Sequence, residues 1–200
     1  IIDNAYQVTV LLICMLLSAW LGIRKKNRGF IMLSFGYGCF MMGTLYYVLY
    51  LIIMGRVPQI FYVAEISWMA AYLFYLSLSL SRRDLHGKLP GVVSVLGAVV
   101  IVCLVMAFQI FGPSLFFSGC FGITAGTIVL RCMEVLRREK EHHLLDGIML
   151  LAVWLQVLLY IVSEFIKDYT RFNLYFAVDI TLTLTMAYLF FALRKEVERG

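Results

Sequence analysis

The sequence predicts an all-α integral membrane protein, a seven-transmembrane helix bundle with its N-terminus outside and its C-terminus cytoplasmic. Three observations carry this. Apolar residues gather in seven stretches of roughly 18 to 25 residues, the length a helix needs to cross about 30 Å of hydrocarbon. Apolar residues make up 62% of the chain and charged residues only 14%, with a mean hydropathy of +0.91, which excludes an ordinary soluble domain. Of the 17 Lys and Arg residues, 14 fall on one set of alternating loops, and excess positive charge marks the cytoplasmic side of a membrane.

The spans follow in order as one domain over 1–200. Span one, 6–23, stops at Arg24, Lys25, Lys26 and Arg28. It has no basic residues before it and a positive cluster after it, the reverse of a secretory signal peptide. Span two, 29–54, reaches a minimal outer loop, Gly55-Arg56-Val57-Pro58. Span three, 59–81, is closed by Arg82, Arg83 and Lys88. Span four, 91–111, ends at Gly112-Pro113, with Pro113 suited to the first turn of the next helix. Span five, 113–138, meets no breaker before a mixed charged segment containing Glu134, Arg137 and Arg138. Span six, 144–166, precedes an outer loop with Lys167, Asp168 and Arg171. Span seven, 174–193, runs on into Arg194-Lys195-Glu196-Val197-Glu198-Arg199.

The expected surroundings are the lipid bilayer of the plasma (cytoplasmic) membrane. The net charge of +5 resides at helix ends, where topology and anionic headgroups account for it, so no nucleic-acid partner is expected. The five cysteines lie within or beside apolar spans and have no metal-ligand spacing; they read as small core residues. Ser118, Gly122 and Gly126 place small residues on one face of span five, as do Gly36 and Gly43 on span two. Such faces let helix backbones approach closely, either within the bundle or across a homodimer seam.

Chemistry is sparse. Three carboxylates lie inside apolar spans: Glu65, Glu164 and Asp179. An ionisable group in hydrocarbon costs roughly 2.5–3.5 kcal/mol or more, so it usually faces the bundle interior or water. All three fall in the outer third of their spans, whereas the cytoplasmic half shows no comparable buried acid, with Asp146 at its boundary. Helical spacing extends each acid into a stripe: Gln156, Tyr160 and Glu164; Tyr62, Glu65, Trp68 and Tyr72; Tyr175, Asp179 and Thr183. Asn4 and Gln7 add polar groups at the outer end of span one. Facing stripes would line an outward-opening, acidic, tyrosine-rich cavity suited to a small cationic ligand. The same acids would also serve as structural hydrogen-bonding groups or as a proton path. Ser77, Ser79 and Ser81 have no base beside them and read as backbone-bonding helix serines.

No Gly-x-Ser-x-Gly elbow or His-Glu-x-x-His motif occurs, and His86, His142 and His143 have no intramembrane partner, so no catalytic residue is assigned. No metal or cofactor is expected. Microbial rhodopsins carry a retinal-bearing lysine in span seven, and here span seven has none. G-protein-coupled receptors usually have a disulfide at the top of span three and an Asn-Pro motif in span seven, and both are missing. The run Tyr188-Leu-Phe-Phe-Ala-Leu-Arg-Lys-Glu-Val-Glu-Arg199 takes an apolar span without a break into a charged helix. In this the chain resembles the seven-span N-terminal sensor regions of bacterial histidine kinases and diguanylate cyclases. That resemblance implies a receptor module signalling to a C-terminal output domain or a cytoplasmic partner. A small transporter or proton-coupled carrier and an intramembrane lipid-acting enzyme stand as alternative readings of the same acids.

Overall fold

The computed structural model describes residues 2–55, 62–82, 89–108, 115–138, 144–166 and 173–198. These form seven α-helices and no strand: α1 (Ile2–Arg24), α2 (Arg28–Met54), α3 (Tyr62–Arg82), α4 (Val92–Ala107), α5 (Leu115–Arg138), α6 (Leu144–Phe165) and α7 (Leu174–Val197). Six are long and apolar enough to cross a bilayer, as in a multi-pass membrane protein. α4 is the exception. Its sixteen residues rise roughly 24 Å, shorter than the expected span 91–111, while residues 109–111 lie outside the described residues. Large apolar side chains such as Ile13, Leu16, Trp20 and Ile23 of α1 are exposed, as a lipid-facing surface requires.

The helix ends have identifiable causes. Asn27 caps α2, its side-chain oxygen accepting from the Gly29 N–H at 2.8 Å. Gly55 ends the same helix in the left-handed conformation, φ 65°, and returns its N–H to Leu51. Asn173 caps α7 by accepting from the Phe176 N–H. α7 runs past the membrane span 174–193 into the charged segment, as far as Val197, and its last turn holds an ion pair, Arg194 Nε 2.7 Å from Glu198 Oε1.

The helices fall into two units, 1–78 and 79–200, and the last turn of α3 counts with the second. In the first unit, α1 and α2 pair through a short turn, and Ser34 of α2 donates to the Met15 carbonyl at 3.0 Å. α2 also meets α3 at its glycines. A Cβ on Gly43 would come within 2.9 Å of the Ala64 carbonyl, and one on Gly36 would strike the Tyr75 ring. In the second unit, α4 packs on α5, α5 on α6 and α6 on α7.

The small-residue row of α5 is spent inside this unit. A Cβ on Gly126 would lie 2.9 Å from Val102 and 3.3 Å from the Ala98 carbonyl, and Gly122 faces Val105. Of the two roles the sequence left open for that row, intramolecular packing is the one the structure shows.

Candidate functional site

The expected stripes divide between the units. Glu65 and Trp68 belong to the first; Gln156, Tyr160, Glu164, Tyr175, Asp179 and Thr183 belong to the second. The side chain of Tyr62 lies outside the described residues.

In the first unit Glu65 is buried on α3. Trp68, one turn further, donates its indole N–H to Thr44 Oγ1 at 3.4 Å. Thr44 in turn donates to Gln7 Oε1 at 2.7 Å. A buried relay therefore joins α1, α2 and α3, with both Gln7 and Thr44 inaccessible. Gln7 stands out in the sequence as an outer polar residue; its bond to Thr44, 37 positions away, does not.

In the second unit the paired helices α6 and α7 bury Gln156, Asp179 and Thr183, while Tyr160 and Tyr175 are half-buried. Exposure rises along the α6 stripe until Glu164, next to the helix end, is exposed. The Thr183 hydroxyl donates to the backbone carbonyl of Asp179 at 3.0 Å and so back-bonds along its own helix. Ser77 behaves likewise, donating to the Leu73 carbonyl at 2.8 Å.

The basic end of the second unit departs from the sequence reading. Two acids there are more deeply buried than Glu65: Asp146 and Glu134, 1% and 3% exposed. The sequence reading puts Asp146 at the boundary and Glu134 in a mixed charged segment, with no comparable buried acid in the cytoplasmic half, and the burial of both corrects it. They are buried because arginines and helix ends surround them, which a linear run of charges does not reveal.

Glu134 of α5 caps a different helix. α4 starts at Gly91, which has no side chain to cap with. Glu134 Oε1 takes the Gly91 N–H at 2.6 Å and the Ser94 hydroxyl at 2.7 Å. Its other oxygen accepts from Arg138 Nε at 2.6 Å and Arg137 Nη2 at 3.1 Å. Arg138 also donates to the Leu89 carbonyl at 2.8 Å. A carboxylate at a helix N-terminus, backed by two guanidinium groups, satisfies orphan N–H groups and the positive end of the α4 dipole together.

Arg82 closes the last turn of α3 and meets two acids. Its Nη2 lies 3.5 Å from Asp146 Oδ2, in the first turn of α6, and contacts Glu196 Oε2, in the last turns of α7. The side chains are 10%, 2% and 22% exposed in that order. The sequence reading treats Arg82 only as topological charge. The available hint is an Asp in the first turn of α6 and a Glu near the end of α7, the latter at the unfavourable pole of its own helix dipole.

Among the described residues, no group of three His, Cys, Asp or Glu side chains is arranged to hold a metal ion. Comparison with known protein families, characterised proteins and solved structures finds no match to this chain.

Proposed function

We propose that this chain is a seven-helix receptor or sensor module of the plasma membrane. Its N-terminus lies outside, and it takes a small cationic ligand at its outer polar residues and passes a change of state to its cytoplasmic side. One observation carries the reading: α7 is a single uninterrupted helix with a buried acid near one end and an ion-paired acid near the other. Asp179 and Glu196 are seventeen residues apart, roughly 26 Å along the axis. A continuous helix transmits displacement at one end to the other, and a ligand preferring one position of Asp179 biases both.

Asp179 supplies the anionic group, with Thr183, Gln156, Tyr160 and Tyr175 on the same paired helices. Glu164 on α6 completes this set within the second unit; Glu65, Trp68 and Tyr62 on α3 are proposed ligand residues of the first unit, considered by itself. The charged helix beyond Leu193 leads to the output domain or cytoplasmic partner.

The test is thermal stability of the purified full chain in detergent, titrated with tetraethylammonium, phenethylamine and spermine. At least one of these amines stabilises the parent by mass action and has no effect on Asp179→Asn. Equal responses in parent and variant contradict the reading. Uptake of the same amine into proteoliposomes, abolished in Asp179→Asn, would favour a carrier.

A further inference from the structure

Among the described residues of the first unit, every serine and threonine but one has a hydrogen-bond partner. Thr9, Ser67 and Ser77 back-bond to carbonyls of their own helices, Ser34 reaches the Met15 carbonyl, and Thr44 bonds Gln7. Ser18 of α1 is the exception. It is wholly buried, yet its hydroxyl bonds no other protein group. A helix serine can turn its hydroxyl to the carbonyl four residues back, and Ser18 faces away from that partner.

Tyr75 of α3 is in the same position. It is 2% exposed, and its hydroxyl also bonds no protein group. Its ring is closely fitted. A Cβ on Gly36 would lie 2.5 Å from Cε1, and Tyr37 and Tyr72 meet the ring edge-on at centroid distances of 6.5 and 5.6 Å. A phenylalanine ring would fill that seat equally well. The hydroxyl is what the packing does not use, and a buried hydroxyl with no bond costs free energy. Tyr75 also continues the face of α3 that carries Glu65, Trp68 and Tyr72, at steps of three, four and three. It lies roughly 15 Å along the axis from Glu65, inside the apolar span, where no bulk water is available to pair with it.

Cys14 connects the two hydroxyls. It lies one turn before Ser18 on the buried face of α1, and its thiol is within electrostatic reach of the Tyr75 hydroxyl. These groups are neutral, enclosed, and able both to donate and to accept. That chemistry suits a water molecule, which needs two or more polar partners, and offers nothing to an ion. We propose that the first unit holds an internal water site between α1 and α3, with Ser18 and Tyr75 as its hydrogen-bonding partners and Cys14 at its edge. The site goes beyond the receptor reading and does not depend on it.

Two measurements on the full chain test it. In nanodiscs, brief X-ray pulses split water into hydroxyl radicals that oxidise the side chains beside it, and mass spectrometry reads the modified peptides. Cys14 is expected to be oxidised in the parent despite its burial, and several-fold more slowly in the double variant Ser18→Ala, Tyr75→Phe. Met149, buried in the second unit, serves as control and reacts alike in both. Equal Cys14 rates in parent and double variant overturn the site. Unfolding in SDS mixed micelles separates a bonded hydroxyl from a bare one. Tyr75→Phe lowers the unfolding midpoint if it removes a bond to water, and raises it if it removes a hydroxyl that bonds nothing. An unchanged or raised midpoint overturns the site. Ser18→Ala lowers the midpoint too, and the double variant loses less than the sum of the two single losses, because one occupant serves both groups. Strictly additive losses overturn a shared site.

Discussion

Replacing Glu134 by alanine is expected to be among the most destabilising single changes in the second unit. The carboxylate accepts from Gly91, Ser94, Arg137 and Arg138, and its side chain is 4% exposed. Its loss uncaps α4, which by itself costs about 1 kcal/mol. It also leaves the Arg138 guanidinium, whose side chain is 18% exposed, without its carboxylate. Removing one partner of a largely buried ion pair costs about 3–5 kcal/mol, and this term dominates. Glu134→Gln separates the two contributions. Its amide oxygen still accepts from Gly91 and Ser94, but its NH₂ group then faces the Arg137 and Arg138 donors. The expected cost is therefore intermediate, about 1–3 kcal/mol. Ser94→Ala removes one donor and costs about 1 kcal/mol. Unfolding of the full chain by SDS in mixed micelles, followed by circular dichroism, gives the order Glu134→Ala, Glu134→Gln, Ser94→Ala. A Glu134→Ala protein within about 0.5 kcal/mol of the parent, the range of an ordinary surface change, refutes the capping account.

Further expectations concern helix approach, the polar relay and topology. Gly126→Val drives a branched side chain into Val102 and the Ala98 carbonyl and should cost about 1–3 kcal/mol in the same assay. Gly119→Ala on the same helix meets nothing within 4 Å and should stabilise by about 0.5–1 kcal/mol. Thr44→Val breaks the bonds to Gln7 and Trp68, and its measured loss should fall near the 0.6–1.7 kcal/mol typical of interhelical bonds in membranes. A cysteine replacing Lys26 should react with a membrane-impermeant maleimide only from the cytoplasmic side, and one replacing Gly55 only from outside; the reverse pattern inverts the proposed orientation.

The helices were legible because each needs only a long apolar run and an end signal, and Asn27, Gly55 and Asn173 supply such signals locally. The buried acids of the basic end were not. Glu134 lies among charged neighbours in sequence, and its real partners, Gly91 and Ser94, are 43 and 40 positions away. The antiparallel register of α4 and α5 brings them together. A trace of it was readable: Ser118, Gly122 and Gly126 recur at intervals of four, the two glycines face α4, and two further steps of four reach Glu134. Arg82 shows the opposite case. A positive charge at the end of a span has a sufficient explanation in topology, so nothing in its own neighbourhood points to Asp146 or Glu196. The candidate ligand residues were chosen by helical spacing, and spacing places Gln156, Asp179 and Thr183 on buried faces. It does not distinguish a hydroxyl that faces a cavity from one that bonds its own backbone, as Thr183 does.

The account depends most on coupling between the two ends of α7. Amide hydrogen exchange on the full chain in nanodiscs, comparing the parent with Asp179→Asn, measures it directly. The expected result is a change of at least about threefold in exchange of the amides from Arg194 to Glu198, roughly 25 Å from the substitution. Exchange altered only in the turns beside residue 179, with the last turn of α7 unchanged, would contradict it.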